Sequence, residues 1–241
     1  MHFRRSILRL LAIAAALLLT SCIDGREEFW LNADGSGRAD VTYSLPAMAA
    51  RFHGGEAGVR KMVADFLANT PALKSSDCEV TTDNDRLTIR VRASFDSALD
   101  LKKISDSGSV EKLPSSANNL AGEITVRVDG RNLDFARTIA PGNALPGAKF
   151  MPASKFEGRK LQYIIHLPDA ATGSNATRIE DGGRTLVWDF PLADAIGQPV
   201  TTRFQAAIPV PAWMFASIGG VALAVGALTF FSYRKLRGTL P

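Results

Sequence analysis

Histidine, cysteine and tyrosine are scarce: three, two and three in 241 residues. That scarcity removes whole classes of chemistry. One histidine stands at position 2, so only His53 and His166 are available to a folded domain, and neither lies in a metal-ligand pattern such as His-Glu-x-x-His. A Gly-x-Ser-x-Gly elbow, a Walker loop and a dinucleotide fingerprint are also missing. His53 sits beside two glycines and His166 follows Ile165 in a strand-like run, so both read as structural. Asp34, Asp129 and Asp181 lie in turns, where short carboxylates bond the local backbone. Asn32, Asp34, Ser36, Gly37 and Asp40 have calcium-loop spacing, but the twelfth position is Tyr43 where a bidentate glutamate is needed. No enzymatic activity, metal or cofactor is expected.

Acid is missing from both ends. Residues 1–22 and 212–241 each hold three Arg or Lys and no Asp or Glu, which leaves 22 basic against 24 acidic residues between them. The central domain is therefore slightly acidic and the basic balance belongs to the termini, which excludes a nucleic-acid partner. Arg4, Arg5 and Arg9 precede an apolar run, Leu10 to Leu19, too short to span a bilayer: an export signal over residues 1–21. Leu19-Thr20-Ser21-Cys22 resembles the bacterial lipobox, which implies that Cys22 becomes a fatty-acylated (palmitate-bearing) amino terminus. Cys78 is then left without an intramolecular partner, so no disulfide supports the fold, and it reads as a small buried hydrophobe.

Ala212 to Tyr233 is free of charge and supplies about the 20 apolar residues that cross a hydrocarbon core. Trp213 and Tyr233 mark its edges, and Arg234, Lys235 and Arg237 belong on the cytoplasmic side. The expected organisation is a signal peptide (1–21), an exported domain (22–208), a linker and transmembrane helix (209–233) and a cytoplasmic basic tail (234–241). The domain then lies on the extracytoplasmic, periplasmic side of the inner membrane. Ala216, Gly220 and Ala224 are spaced four apart, as in helices that pack closely on a partner.

Within the domain, Phe29 to Ala33 and Arg38 to Tyr43 flank Asp34-Gly35-Ser36-Gly37, a hairpin signature. Val59, Met62, Val63, Phe66 and Leu67 recur at helical spacing within a helix spanning Arg51 to Asn69, and a helical piece over Leu45 to Phe52 precedes it. Leu87, Ile89, Val91, Ala93 and Phe95 alternate with polar residues, and Cys78 to Thr82 pairs with that strand. Two further hairpins turn at Asp129-Gly130-Arg131-Asn132 and Asp181-Gly182-Gly183. Leu161 to Leu167 and Val200 to Ile208 complete the strands, and a second helix is expected near Ser97 to Ser105. The class is α+β with mostly antiparallel pairing.

Pro141 to Gly158 reads as a long loop, and long loops in compact domains are often functional. Lys149, Phe150, Met151, Lys155 and Phe156, with Arg159 and Lys160, form a candidate lipid-headgroup patch: cations for an anionic headgroup, apolar side chains for the interface.

The lipobox, the run Leu31-Asn32-Ala33-Asp34-Gly35-Ser36-Gly37, a helix, a β-rich middle, Gly183-Arg184-Thr185-Leu186-Val187-Trp188 and one terminal span together resemble bacterial envelope lipoproteins of the LppM type. The resemblance implies an extracytoplasmic α/β domain with lipid or glycolipid binding and no enzyme chemistry. The expected ligand is a membrane lipid, held by the 149–160 patch or by a helix-covered cavity. The other expectation is an accessory or scaffold subunit of an inner-membrane complex, whose partner is a neighbouring membrane protein.

Overall fold

The first reversal of the chain is built by one side chain. Asp34 Oδ1 accepts hydrogen bonds from the Ser36 amide at 2.9 Å and the Ser36 hydroxyl at 2.6 Å, and Gly35 takes a positive φ. Strands β1 (Asp24–Leu31) and β2 (Gly37–Pro46) therefore pair antiparallel, with Leu31 opposite Gly37. The computed structural model describes residues 24–51, 54–97, 119, 122–129, 132–144 and 148–207. The signal peptide, Cys22, His53, the helix expected near Ser97 to Ser105, the span 209–233 and the tail 234–241 lie outside the described residues. Among the described residues no helix is long and apolar enough to cross a membrane.

After β2 come helices α1 (Ala47–Arg51) and α2 (Gly55–Ala68), then β3 (Lys74–Asp83) and β4 (Arg86–Phe95). Asn84 and Asp85 both adopt positive φ, the conformation a two-residue hairpin loop demands. The chain continues through β5 (Glu123–Asp129), β6 (Asn132–Ile139), helix α3 (Pro141–Ala144), β7 (Lys160–His166), β8 (Gly173–Ser174), β9 (Arg178–Glu180), β10 (Thr185–Pro191), helix α4 (Leu192–Gly197) and β11 (Val200–Ala207).

These strands form two sheets: seven strands in the order β3-β4-β2-β1-β7-β10-β9, and four in the order β5-β6-β11-β8. The class is α+β as expected. Pairing is antiparallel except between β1 and β7, which run parallel with Gly25 beside Leu161. That exception sets the layout, because the start of β7 lies beside the start of the domain.

One face of the large sheet is buried. Leu161, Tyr163, Ile165, Leu186 and Trp188 meet Ile139, Phe204 and Ala206 of the small sheet in the main core. At the other flank, α1 and α2 cover the same face, where Ala50, Val59, Val80 and Leu87 form a second cluster. The stripe on α2 thus packs on the sheet, and the Arg60 guanidinium donates to the Val80 carbonyl at 2.7 Å. Those side chains fill the space under the helix. A shallow depression of about 520 Å³ lies along the outer side of α2, lined by Glu56, Ala57, Arg60, Lys61 and Ala64.

The segment expected as one long loop, Pro141 to Gly158, is instead pleated into α3 and two 3-10 turns, Ala148–Phe150 and Ala153–Phe156. Its small residues allow close approach: a Cβ on Gly142 would stand 2.2 Å from the Ile196 carbonyl oxygen of α4. Ala148 and Phe156 enter the main core.

Candidate functional site

The buried face carries one polar centre. Alternation along β1 places Glu27 inward between Gly25 and Phe29, and along β6 it places Arg137 inward between Phe135 and Ile139. Glu27 is only 4% exposed. Its carboxylate accepts two hydrogen bonds from the Arg137 guanidinium, the Nη2 bond at 3.1 Å, and one from the Tyr43 hydroxyl. Arg137 also lies 5.2 Å from the Tyr163 ring centroid. Burial opposes the Arg137 charge, but Glu27 outweighs it and the guanidinium holds its proton more tightly than usual. Burial, then the Glu27 charge, pushes the Tyr43 and Tyr163 phenols up. The Tyr163 hydroxyl is buried without a hydrogen-bond partner. This centre joins the two sheets, with the Arg137 and Glu27 side chains 12% and 6% exposed.

The opposite face of the large sheet is polar and exposed along β1 to β4, while Ile164 and Val187 lie buried in its β7–β10 part. Arg90 grips Asp40 with two hydrogen bonds, at 2.5 and 3.1 Å, and Arg92 bonds Asp77 at 3.2 Å. Arg26 bonds Glu28 at 2.7 Å, and Asp189 accepts from Gln162, Lys160 and Arg178. In three of the pairs the cation stands outermost. Side-chain exposure is 50% for Arg26 against 18% for Glu28, 43% for Arg90 against 25% for Asp40, and 51% for Arg178 against 19% for Asp189. At these three pairs the face presents guanidinium groups over recessed carboxylates, whereas Asp77 stands further out than Arg92. Burial would raise the carboxyls of Glu28 and Asp189, but hydrogen bonds from His166 and Arg26, and from Gln162, Arg178 and Lys160, hold them below the usual range. The Arg90 hydrogen bond does the same for Asp40.

His166 belongs to this face and brings the structure nearest to a catalytic arrangement. Its Nε2 lies 2.8 Å from Glu28 Oε1 and its Nδ1 lies 3.1 Å from Thr185 Oγ1. The hydroxyl is not a presented nucleophile: Thr185 is buried and donates to Asp181 Oδ2 at 2.5 Å. The imidazole stacks on Trp30 at 5.2 Å, and Arg38 covers the Trp30 ring at 4.4 Å. Among the described residues no group of three metal-ligating side chains occurs.

The seven residues of the expected headgroup patch are dispersed. Phe150 is 93% exposed, and Lys149 beside it donates to Asn143 Oδ1 at 2.7 Å. Lys155 is exposed on the next turn. Met151 packs against the core, and Phe156 is buried within it and so forms no part of a surface patch. Arg159 bonds Asp24 Oδ2 at 2.6 Å, and Lys160 bonds Asp189 at 3.3 Å as part of the open sheet face. Cys78 is half-buried against the second cluster, and burial pushes its thiol up.

The alternation along Leu87 to Phe95 places Arg90 and Arg92 on a wet face, but the continuation of that face across β1, β2 and the later strands was not legible in the sequence. No family model matches the chain, and no curated protein matches it. Among solved structures it is similar to the folded domain of Mycobacterium tuberculosis LppM, determined by NMR, with 13% identity and a TM-score of 0.49 over 80% of this chain and 94% of that one. A likeness at that level decides neither family nor function.

Proposed function

We propose that the protein is a membrane-anchored exported lipoprotein whose domain holds lipid headgroups at the outer surface of the inner membrane and carries out no enzymatic reaction. One observation carries the reading. Asp24, the first residue of β1, accepts hydrogen bonds from Arg159 at 2.6 Å and Arg86 at 3.1 Å. Cys22 stands two residues before Asp24, a reach of about 7 Å in extended chain. The Asp24–Arg159 pair therefore fixes the turns that carry Lys149, Phe150 and Lys155 at the end of the domain nearest the acylated cysteine. Phe150, an exposed ring between lysines, suits the headgroup boundary, where an apolar side chain enters and neighbouring cations meet phosphate.

The test is mass spectrometry of the organic extract of full-length protein purified from its native membrane, beside an unrelated lipoprotein and a detergent blank. A selectively enriched lipid is expected, reduced in Phe150→Ser. An extract no richer than the controls overturns the headgroup reading. Crosslinking through residues 212–233 then tests whether the chain is an accessory subunit of a membrane complex.

A further inference from the structure

We infer that the domain lies along the membrane with the open face of its seven-stranded sheet against the phospholipid headgroups. The inference rests on the two anchors of the proposed function, the acylated Cys22 and the span beginning at Ala212, and adds the orientation that they impose.

The two tethers leave from opposite ends of the fold. β1 and β7 start together, Pro191 at the end of β10 lies opposite Lys160 at the start of β7, and α4 then returns the chain into β11 at the same end. β11 runs away from that end, and Gln205 near its finish bonds the Thr172 amide beyond the far end of β7. From Val200 to Ala207 the strand covers seven steps, about 23 Å. From Ala207 to Ala212 the chain takes five steps, a reach of at most about 17 Å. A domain standing upright on its Asp24 end would hold Ala207 too high for the span to enter the bilayer.

The shorter tether chooses the face. Asp24 stays within about 7 Å of Cys22. If the small sheet faced the membrane, the large sheet would be lifted by at least the sheet stacking distance of about 10 Å. If the β3 edge of the large sheet faced down, β1 would be lifted by three strand spacings, about 14 Å, and if the opposite edge faced down, its Asp24 end would be lifted by the two spacings of β7 and β10, about 10 Å. With the open face down, Asp24 is within reach, and Ala207, one sheet higher, remains within the reach of its own tether.

The chemistry of that face agrees with its position. Arg26, Arg90 and Arg178 stand proud of Glu28, Asp40 and Asp189, so the surface offers planar N–H donors outward at these three places, which match phosphate oxygens.

The test places full-length Cys78→Ala protein in phospholipid nanodiscs that contain a nickel-chelating lipid. A spin label is introduced by Thr42→Cys or Thr81→Cys on the open face, or by Thr125→Cys on the outer side of the small sheet. Nickel at the headgroups is expected to relax the labels at positions 42 and 81 several-fold more than the label at 125. Equal relaxation, or stronger relaxation at 125, overturns the orientation. The acyl mass of the Cys22 peptide and protease protection of the span are read on the same samples. If either anchor is missing, the anchoring and the orientation fall together; if both are present and the labels disagree, only the orientation falls.

Discussion

Glu27 of β1 and Arg137 of β6 meet across the two sheets, with both carboxylate oxygens engaged by the guanidinium and Tyr43 closing the group from β2. Removing one partner strands the other charge in an apolar interior. Arg137→Ala is expected to lower stability by about 3–5 kcal/mol, whereas the double replacement Glu27→Gln with Arg137→Met costs much less because no lone charge remains. Denaturant unfolding of the detergent-solubilised chain, followed by circular dichroism, compares them. Equal losses in the two variants would remove the argument.

Acid should loosen the open sheet face. The carboxyls of Glu28, Asp40 and Asp189 are held low in the folded state, so the unfolded chain binds more protons than the folded one at acid pH. Their contribution is complete above about pH 4.5, and it is lost as pH falls through their depressed folded values. Melting temperatures measured from pH 7 down to pH 3 should fall at the acid end, with a shallower fall in Asp40→Asn. A flat acid limb in the parent protein would contradict this.

Two phenylalanines six residues apart should behave oppositely. Phe150 is exposed and Phe156 lies in the core. Phe156→Ala is expected to cost about 3–5 kcal/mol. Phe150→Ser should leave the melting temperature unchanged and weaken binding to anionic vesicles. A strong thermal effect at Phe150 would mean that it packs rather than presents.

Gly25 makes room for the Tyr43 ring. A Cβ there would lie 2.5 Å from Tyr43 Cε1 and 2.9 Å from Leu161 Cδ2. Gly25→Ala is expected to destabilise by about 1–3 kcal/mol, since the ring that reaches Glu27 must shift. Thermal unfolding of this variant beside the parent reads the effect, and an unchanged melting temperature would show that the ring moves freely.

Local features of this fold were legible because they depend on neighbours in sequence. Asp34-Gly35-Ser36 and Asn84-Asp85 announce their turns, Leu87 to Phe95 alternates, and Val59 to Leu67 recurs at helical spacing. The division into two sheets was not legible, because the pairing of β1 with β7 joins residues more than 130 positions apart and depends on tertiary burial. Phe156 misled for a related reason: an aromatic between Lys155 and Glu157 looks exposed until the turn around it is folded against α4. Glu27 and Arg137 left a readable mark, a charge at the inward parity of an otherwise apolar series, but each makes physical sense only once the other is seen opposite it.

The position of β1 has a consequence for the order of folding. The first strand to be synthesised is the middle strand of the large sheet, and only one of its neighbours, β2, follows at once. Its other edge stays open, with unpaired amides and carbonyls, until residues 160–166 emerge. The folding chain therefore carries an unfinished edge until β7 docks, and closing it is a high-contact-order step that hairpin formation elsewhere does not accelerate.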